Sequence, residues 1–86
     1  MLSLHAVIVL MQQKEKKEQT DFQLKLGKQI AKLRKRRNIS QVDFAYMLDM
    51  EKQNLNRIEK GRTNPTSWTL YLIAKLLEVP VKKLFE

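Results

Sequence analysis

The spacing of apolar residues after position 20 is the feature that most limits how this chain can fold. The apolar residues of this stretch are Phe22, Leu26, Ile30 and Leu33. Their intervals of four, four and three positions place all of them on one face of an α-helix. Thr20 and Gln23 form the pattern of a capping box, and Asn38 tolerates the left-handed conformation that ends a helix. The pattern therefore predicts a first helix over residues 21–37.

Two short helices are predicted in the middle of the chain. Ser40 is a favourable helix N-cap, and Asp49 tolerates the positive φ that a tight turn requires. We therefore expect one helix over residues 41–48 and a second over residues 51–59. Ala45 supplies the small side chain that two helices need where they cross at a steep angle.

The last third of the chain predicts two further helical segments. Residues 62–65 form a loop pattern, and Thr66 or Ser67 caps a fourth helix. Pro80 suits the first turn of a last short helix. Glycine and proline are scarce, with two of each, and no strand is expected within residues 21–86. The sequence thus predicts an all-α domain of five helices.

The first 20 residues differ from the rest of the chain. Ala6–Met11 is an apolar run too short to span a bilayer, and it lacks the basic segment and cleavage site of a signal peptide. Two interpretations are open. The run is either a short strand or arm that pairs with a second copy of the chain, or an upstream start with Met11 as the natural first residue. We favour a tail, residues 1–20, that is disordered or packed in a dimer, followed by a domain over residues 21–86.

Positive charge is concentrated in the folded domain. The formal net charge is +8, and residues 1–21 contribute none of it, because three lysines there balance three acidic residues. A basic domain attracts polyanions such as DNA, RNA or an anionic membrane. The absence of cysteine excludes disulfides and thiolate metal sites and fits a reducing cytoplasm. With one histidine and no glycine-rich phosphate loop, we expect no enzyme, no metal and no cofactor.

The predicted third helix leaves a polar face outward. Met50, Leu55 and Ile58 are its apolar positions and should pack against the core. The remaining long polar side chains are Lys52, Gln53, Asn56 and Arg57. Glutamine and asparagine suit the edge of adenine, and lysine and arginine suit guanine, so this face is a candidate for reading DNA bases.

Several groups of residues, in this order and at this spacing, resemble the Cro/phage-repressor (XRE-type) helix-turn-helix family. The matching groups are Ile30–Arg34, Ser40–Leu48, Leu55–Arg62, Asn64–Pro65, Leu72–Val79 and Leu84–Phe85. The resemblance covers about residues 22–86. It implies a five-helix lambda-repressor-like domain that binds double-stranded DNA.

The resemblance also implies roles for the matching positions. Helix 41–48 would cross the DNA backbone, and helix 51–59 would enter the major groove. The residues expected to read bases are Lys52, Gln53, Asn56 and Arg57. Those expected to hold phosphates are Ser40, Gln41, Lys60, Arg62 and Asn64. Arg34 and Glu59 match a family pair that forms an internal salt bridge and positions the recognition helix.

Three positions depart from the family pattern. Asp49 stands where a turn glycine is usual, Glu51 where a serine or threonine begins the recognition helix, and Pro80 where a serine caps the last helix. Glu51 suits the dipole of a helix N-terminus, but it repels phosphates unless it accepts a hydrogen bond from a cytosine amino group.

These observations predict a sequence-specific transcriptional regulator, expected to be a repressor, that binds an inverted repeat as a homodimer in the cytoplasm, with no membrane contact. The residues expected at the dimer surface are Val79, Val81, Leu84 and Phe85. Two alternatives stay open. One is an antitoxin whose main task is to bind a toxin or another partner protein. The other is a sequence-blind basic protein that acts on RNA or a membrane.

Overall fold

Serine and threonine side chains mark where most of the helices begin. The computed structural model describes residues 1–86, which form helices and no strand. The α-helices are α1 (Leu4–Arg36), α2 (Gln41–Met47), α3 (Lys52–Glu59) and α4 (Ser67–Leu76), and a 3-10 helix covers Val81–Phe85. The side chains of Ser3, Ser40 and Thr66 each accept a hydrogen bond from a backbone N–H three residues later. These N-caps satisfy one otherwise unpaired donor at each helix start, and the all-α class is confirmed.

Residues with positive φ end three of the helical segments. Asn38 has a φ of 57° and Asp49 a φ of 54°, so both residues adopt the left-handed conformation that the sequence indicated. Glu78, with a φ of 58°, ends α4 in the same way. Nothing in its side chain marked Glu78 for this role, since glutamate is not a residue that favours the left-handed region.

The first helix begins far earlier than the sequence predicts. It starts at Leu4, not near residue 21, and the hydroxyl of Thr20 donates to the carbonyl oxygen of Lys16 inside the helix instead of capping it. No glycine or proline interrupts the chain before Gly27, and the stretch from Gln12 to Gln19 consists of good helix formers. The expectation of a strand or a disordered tail was therefore wrong. Whether residues 1–20 form an arm to a second copy stays a prediction.

The last element is also shorter and tighter than predicted. Residues 81–85 form a 3-10 helix, so the chain has four α-helices and one 3-10 helix. Pro80 precedes it with a φ of −66° and a ψ of 152°, an extended conformation. The element has only five residues, from Val81 to Phe85, and such short segments often close with i to i+3 hydrogen bonds.

One contiguous core holds the helices together. Its twelve buried apolar residues are Leu26, Ile30, Leu33, Phe44, Ala45, Leu48, Leu55, Ile58, Ile73, Ala74, Leu77 and Leu84. Every element contributes, and the buried residues of α1 all lie between Leu26 and Arg34. The C-terminal third of α1 is therefore a wall of the domain, and the N-terminal part of that helix has no role in this core.

The unburied part of α1 gives the molecule its elongated shape. A helix of 33 residues is about 50 Å long, and the molecule measures 55 × 24 × 19 Å. The N-terminal turns therefore project from the domain. We call residues 4–20 the arm, and Leu4–Met11 its apolar tip.

Candidate nucleic-acid interface

An ion pair inside the domain joins α1 to the end of α3. The guanidinium of Arg34 donates from Nε to Oε2 of Glu59 at 2.7 Å and from Nη2 to Oε1 at 3.0 Å. Its Nη1 donates to the carbonyl oxygen of Ile39 at 2.8 Å. Both charged residues are at least nine-tenths buried. This bidentate geometry, which the family resemblance implied, fixes the C-terminal end of α3 relative to α1.

Gln41 connects the first residue of α2 to the same network. Its side-chain amide nitrogen lies 3.0 Å from Oε1 of Glu59 and 3.3 Å from Oδ1 of Asn56, and it donates to both. Gln41 and Asn56 are half-buried. The sequence predicted phosphate contact for Gln41 and base contact for Asn56, and the structure brings the two side chains together. The angle between α2 and α3 is thereby held by polar contacts as well as by the core.

The polar face of α3 is open to solvent. Lys52, Gln53 and Arg57 are exposed, whereas Leu55 and Ile58 are buried on the opposite face. Since Gln53 and Arg57 are four residues apart, their side chains lie one above the other on the helix surface. Glu51 is the N-cap of α3 and makes no side-chain capping hydrogen bond. These exposed side chains form a continuous polar surface on α3 that a binding partner can contact without any rearrangement of the core.

The loop after α3 begins with a glycine that the fold requires. Gly61 has a φ of 70°, and a Cβ added there would lie 2.7 Å from the Cα of Leu24. The N–H of Arg62 then donates to the carbonyl oxygen of Arg57 at 2.8 Å. Lys60, Arg62 and Asn64, which the sequence assigned to phosphate contact, are all exposed around this turn.

Gly27 is a residue of this region that the sequence reasoning missed. It lies within α1, and a Cβ there would lie 2.5 Å from the carbonyl oxygen of Glu59. The backbones of α1 and α3 therefore approach so closely that only hydrogen fits between them. The available signal was a glycine inside an otherwise helical pattern, which often marks a close packing contact.

Basic side chains extend from the end of α3 onto α1. Those that line a shallow depression beside Glu59 are Lys28, Lys32, Lys35 and Arg36. Arg37 is engaged elsewhere, because its guanidinium lies 2.8 Å from a carboxylate oxygen of Glu78 on the exposed surface. Four cationic side chains of α1 therefore lie next to the C-terminal end of α3.

Leu84, which was predicted to lie at a dimer surface, cannot contact a second copy of the chain. Leu84 is fully buried in the core of its own chain, so that prediction was wrong for this residue. A 3-10 helix of five residues brings Leu84 inward under α1 and leaves Phe85 outside, where its ring lies 5.9 Å from that of Phe22. Val79 is half-buried, and Val81 is exposed. A dimer contact at Val79, Val81 and Phe85 stays a prediction.

The structure contains neither a cluster of metal-ligating side chains nor a helix that could span a membrane. No group of three or more histidine, aspartate and glutamate side chains is arranged so that it could hold a metal ion. None of the helices combines the length and the apolar composition needed to cross a membrane.

The arrangement of α2 and α3 defines a helix-turn-helix. Two short helices are joined by a turn at Asp49, the small side chain of Ala45 is buried in the core, and the polar face of the second helix is exposed. The helix-turn-helix family HTH_3 matches residues 30–84 of this chain. The chain therefore belongs to that family, the XRE, Cro and CI-type helix-turn-helix regulators.

Individual proteins show the same relationship. The chain is 34% identical over 59 residues to y4dJ of Sinorhizobium fredii, an uncharacterized HTH-type transcriptional regulator, and the match covers 69% of this chain and 77% of that protein. An HTH_3 family transcriptional regulator from Vibrio cholerae is 33% identical, with a TM-score of 0.71; the match covers 78% of this chain and 38% of that one.

A third protein is similar in fold. The restriction-modification controller protein C.AhdI from Aeromonas hydrophila superposes with a TM-score of 0.69 at 22% identity. The superposition covers 72% of this chain and 94% of the controller protein.

Proposed function

We propose that this protein is a sequence-specific DNA-binding repressor that acts in the cytoplasm and binds an inverted repeat as a homodimer, with α3 of each copy in the major groove. The observation that carries the proposal is the attachment of α3 to the rest of the domain. Its last residue, Glu59, is paired with Arg34, and Gln41 bonds both Glu59 and Asn56. A recognition helix held in this way presents its polar side chains in one fixed orientation, which base-specific hydrogen bonds need.

The base contacts belong to the exposed polar side chains of α3. Lys52, Gln53 and Arg57 are free to reach base edges, and Asn56 reads a base with the part of its amide that Gln41 leaves unbonded. Each good bidentate contact of this kind contributes about 1–3 kcal/mol of discrimination against the wrong base.

The phosphate contacts belong to the ends of the two helices. Ser40 and Gln41 stand at the beginning of α2, where backbone N–H groups and the helix dipole favour an anion. Lys60, Arg62 and Asn64 stand on the loop after α3. The net charge of +8 supports this assignment, because a basic surface supplies the sequence-independent part of DNA affinity.

Selection of binding sites from random double-stranded DNA tests the proposal. The expected product is an inverted repeat whose half-sites are about one helical turn apart, 10–10.5 base pairs, because a two-fold dimer places two recognition helices at that separation. Enrichment of no motif would contradict sequence-specific binding. A single half-site with no symmetry would contradict the dimer and leave the base contacts in place.

A second candidate function is that of an antitoxin-type module that binds a partner protein. The exposed rings of Trp68 and Tyr71 stack at 5.4 Å on α4, and exposed aromatic pairs are typical of protein interfaces. Trp68 is the one tryptophan of the chain. If a toxin gene lies beside this one, adding its product should shift the emission of Trp68 to shorter wavelengths. An unchanged spectrum would argue against this function.

A further inference from the structure

The apolar tip of α1 has no partner in its own chain. It contains the run Ala6–Met11, and Leu4, Ile8 and Met11 expose 76%, 44% and 57% of their surface. Three of its residues are β-branched, which lowers helix propensity. A short isolated helix of this composition is marginal in water unless another apolar surface covers it.

A second exposed apolar surface lies near the middle of the same helix, where α1 meets the domain. Phe22, Lys25, Leu26, Leu84 and Phe85 line a surface pocket, which we call the aromatic pocket. The rings of Phe22 and Phe85 stack at its edge and expose 54% and 42% of their surface. Leu26 and Leu84 also line it and are part of the core, so the pocket joins the core to an exposed apolar surface.

The tip and the pocket share one face of α1. Leu4 precedes Phe22 by 18 residues, or five turns, and Met11 precedes it by 11 residues, or about three turns. Ile8 lies 14 residues before Phe22, close to four turns. Leu10, 12 residues before Phe22, is about a third of a turn off this face. The face of α1 that is buried in the core from Leu26 onward therefore also carries the apolar residues of the tip, where they are exposed to solvent.

The two surfaces cannot meet within one chain. Both are fixed to one continuous helix, and about 21 Å separates Ile8 from Phe22 along its axis. In a two-fold dimer with antiparallel α1 helices, by contrast, each tip reaches the pocket of the other copy. Such an interface is isologous, and its two identical contacts double the apolar area that one contact buries. In this register Glu15 and Glu18 of each copy lie on the shared face at the middle of the contact, and Lys14 lies beside Glu18, four residues away on the same helix.

We propose that the tip of each copy docks in the aromatic pocket of a second copy, with Ile8 against Phe22 and Phe85. This inference specifies the homodimer of the proposed function and rests on it. Charge does not oppose the contact at the pocket itself, because residues 1–13 contain no lysine or arginine that would repel Lys25. A lipid bilayer fits the tip less well, since the apolar run is far below the about 20 residues of a span, and the segment 14–18 that follows it carries three lysines against two glutamates, which leaves little net positive charge to hold anionic headgroups.

Disulfide cross-linking of the full chain, without DNA, tests the contact. The protein has no cysteine, so a chain with Ile8→Cys can be mixed with a tagged chain carrying Phe85→Cys. The mixed 8–85 disulfide should be the main product, and Leu10→Cys in place of Ile8→Cys should give several-fold less of it. A dominant 8–8 product would mean that the tips pair with each other and would overturn the proposal. Equal yields from positions 8 and 10 would overturn it as well.

Sedimentation of charged variants provides the second measurement. Ile8→Asp should weaken self-association by about tenfold or more, because a carboxylate would lose its hydration against the two phenylalanine rings and the apolar contact of Ile8 would be lost. Leu10→Asp, an identical change off the contact face, should leave it nearly unchanged. Circular dichroism must show both variants to be equally helical. Equal dissociation constants, a monomeric wild-type protein, or binding of the wild type to phosphatidylglycerol vesicles without the 8–85 cross-link would each contradict the docking.

The outcomes separate this inference from the proposed function. If the 8–85 cross-link forms but DNA selection enriches no motif, the docking of the tip in the aromatic pocket is supported and the proposed DNA-binding function is contradicted. If DNA selection yields an inverted repeat but the 8–85 cross-link does not form, the DNA-binding function is supported and the docking is contradicted.

Discussion

Replacement of Gly27 by alanine tests how closely α1 and α3 are packed. On helix propensity alone, Gly27→Ala should stabilise the protein, since alanine is favoured over glycine inside a helix by about 1 kcal/mol. The structure predicts the opposite sign. The new Cβ would lie 2.5 Å from the carbonyl oxygen of Glu59 and 2.8 Å from its carbonyl carbon, both backbone atoms that cannot rotate away.

The size of the effect follows from the separation required. The carbonyl oxygen of Ile58 lies closer still, and ordinary van der Waals contact begins at 3.4 Å, so the two helices must move apart by about 1 Å. Overpacking of this kind costs about 1–3 kcal/mol. The displacement also loosens the pair between Glu59 and Arg34, so that the net loss after the propensity gain is about 2 kcal/mol. For a domain of this size that corresponds to a fall in Tm of about 8–16 °C.

Thermal and urea unfolding followed by circular dichroism at one protein concentration measure this change. Lys28→Ala is the matched control, because the next residue of the same helix is exposed and its change should stay within about 0.5 kcal/mol. If Gly27→Ala melts at or above the wild-type temperature, the backbones of α1 and α3 are not in contact and the reasoning fails.

Three further predictions concern the ion pair, the turn and the loop. Arg34→Ala should lower the free energy of unfolding by about 3–5 kcal/mol, because Glu59 is left buried without its counter-charge. The double variant with Glu59→Leu should recover part of this loss. An unchanged urea midpoint for Arg34→Ala would show that the ion pair contributes nothing to stability. Asp49→Gly should raise the free energy of unfolding, measured by urea unfolding, by about 1 kcal/mol, since glycine adopts positive φ without strain. A lower free energy of unfolding would mean that the aspartate side chain stabilises the turn. Arg62→Ala should weaken specific and random DNA alike and reduce the salt slope by about one unit in titrations, whereas a loss on specific DNA alone would assign Arg62 to base reading.

The ends of the central helices could be predicted because the responsible signals are local. Ser40 caps α2 with its own side chain, and Asn38 and Asp49 are residue types that tolerate the left-handed conformation better than most. The beginning of α1 could not be predicted in this way. Thr20 carries a capping pattern, but a cap forms only where the preceding chain leaves the helix, and the preceding residues are themselves helical.

Parts of the candidate site depend on contacts between distant segments. The pairing of Arg34 with Glu59 was available only through the family resemblance, and the bridge from Gln41 to Asn56 depends on the angle between two helices. Leu84 and Phe85 are adjacent and apolar, so the sequence could not tell which one faces the core. The 3-10 geometry of the last element decides this, since it places Leu84 in the core and the ring of Phe85 beside that of Phe22 on α1.

In the proposed complex, α3 reads DNA bases while the loop after it holds phosphates. Site selection from random DNA, repeated with Gln53→Ala and with Arg62→Ala beside the wild type, tests that division most directly. Gln53→Ala should lose the preference at one base step in each half-site, at about 1–3 kcal/mol, and keep the rest of the motif. Arg62→Ala should recover the wild-type motif with weaker binding throughout. An unaltered motif from Gln53→Ala, or an altered one from Arg62→Ala, would contradict the account.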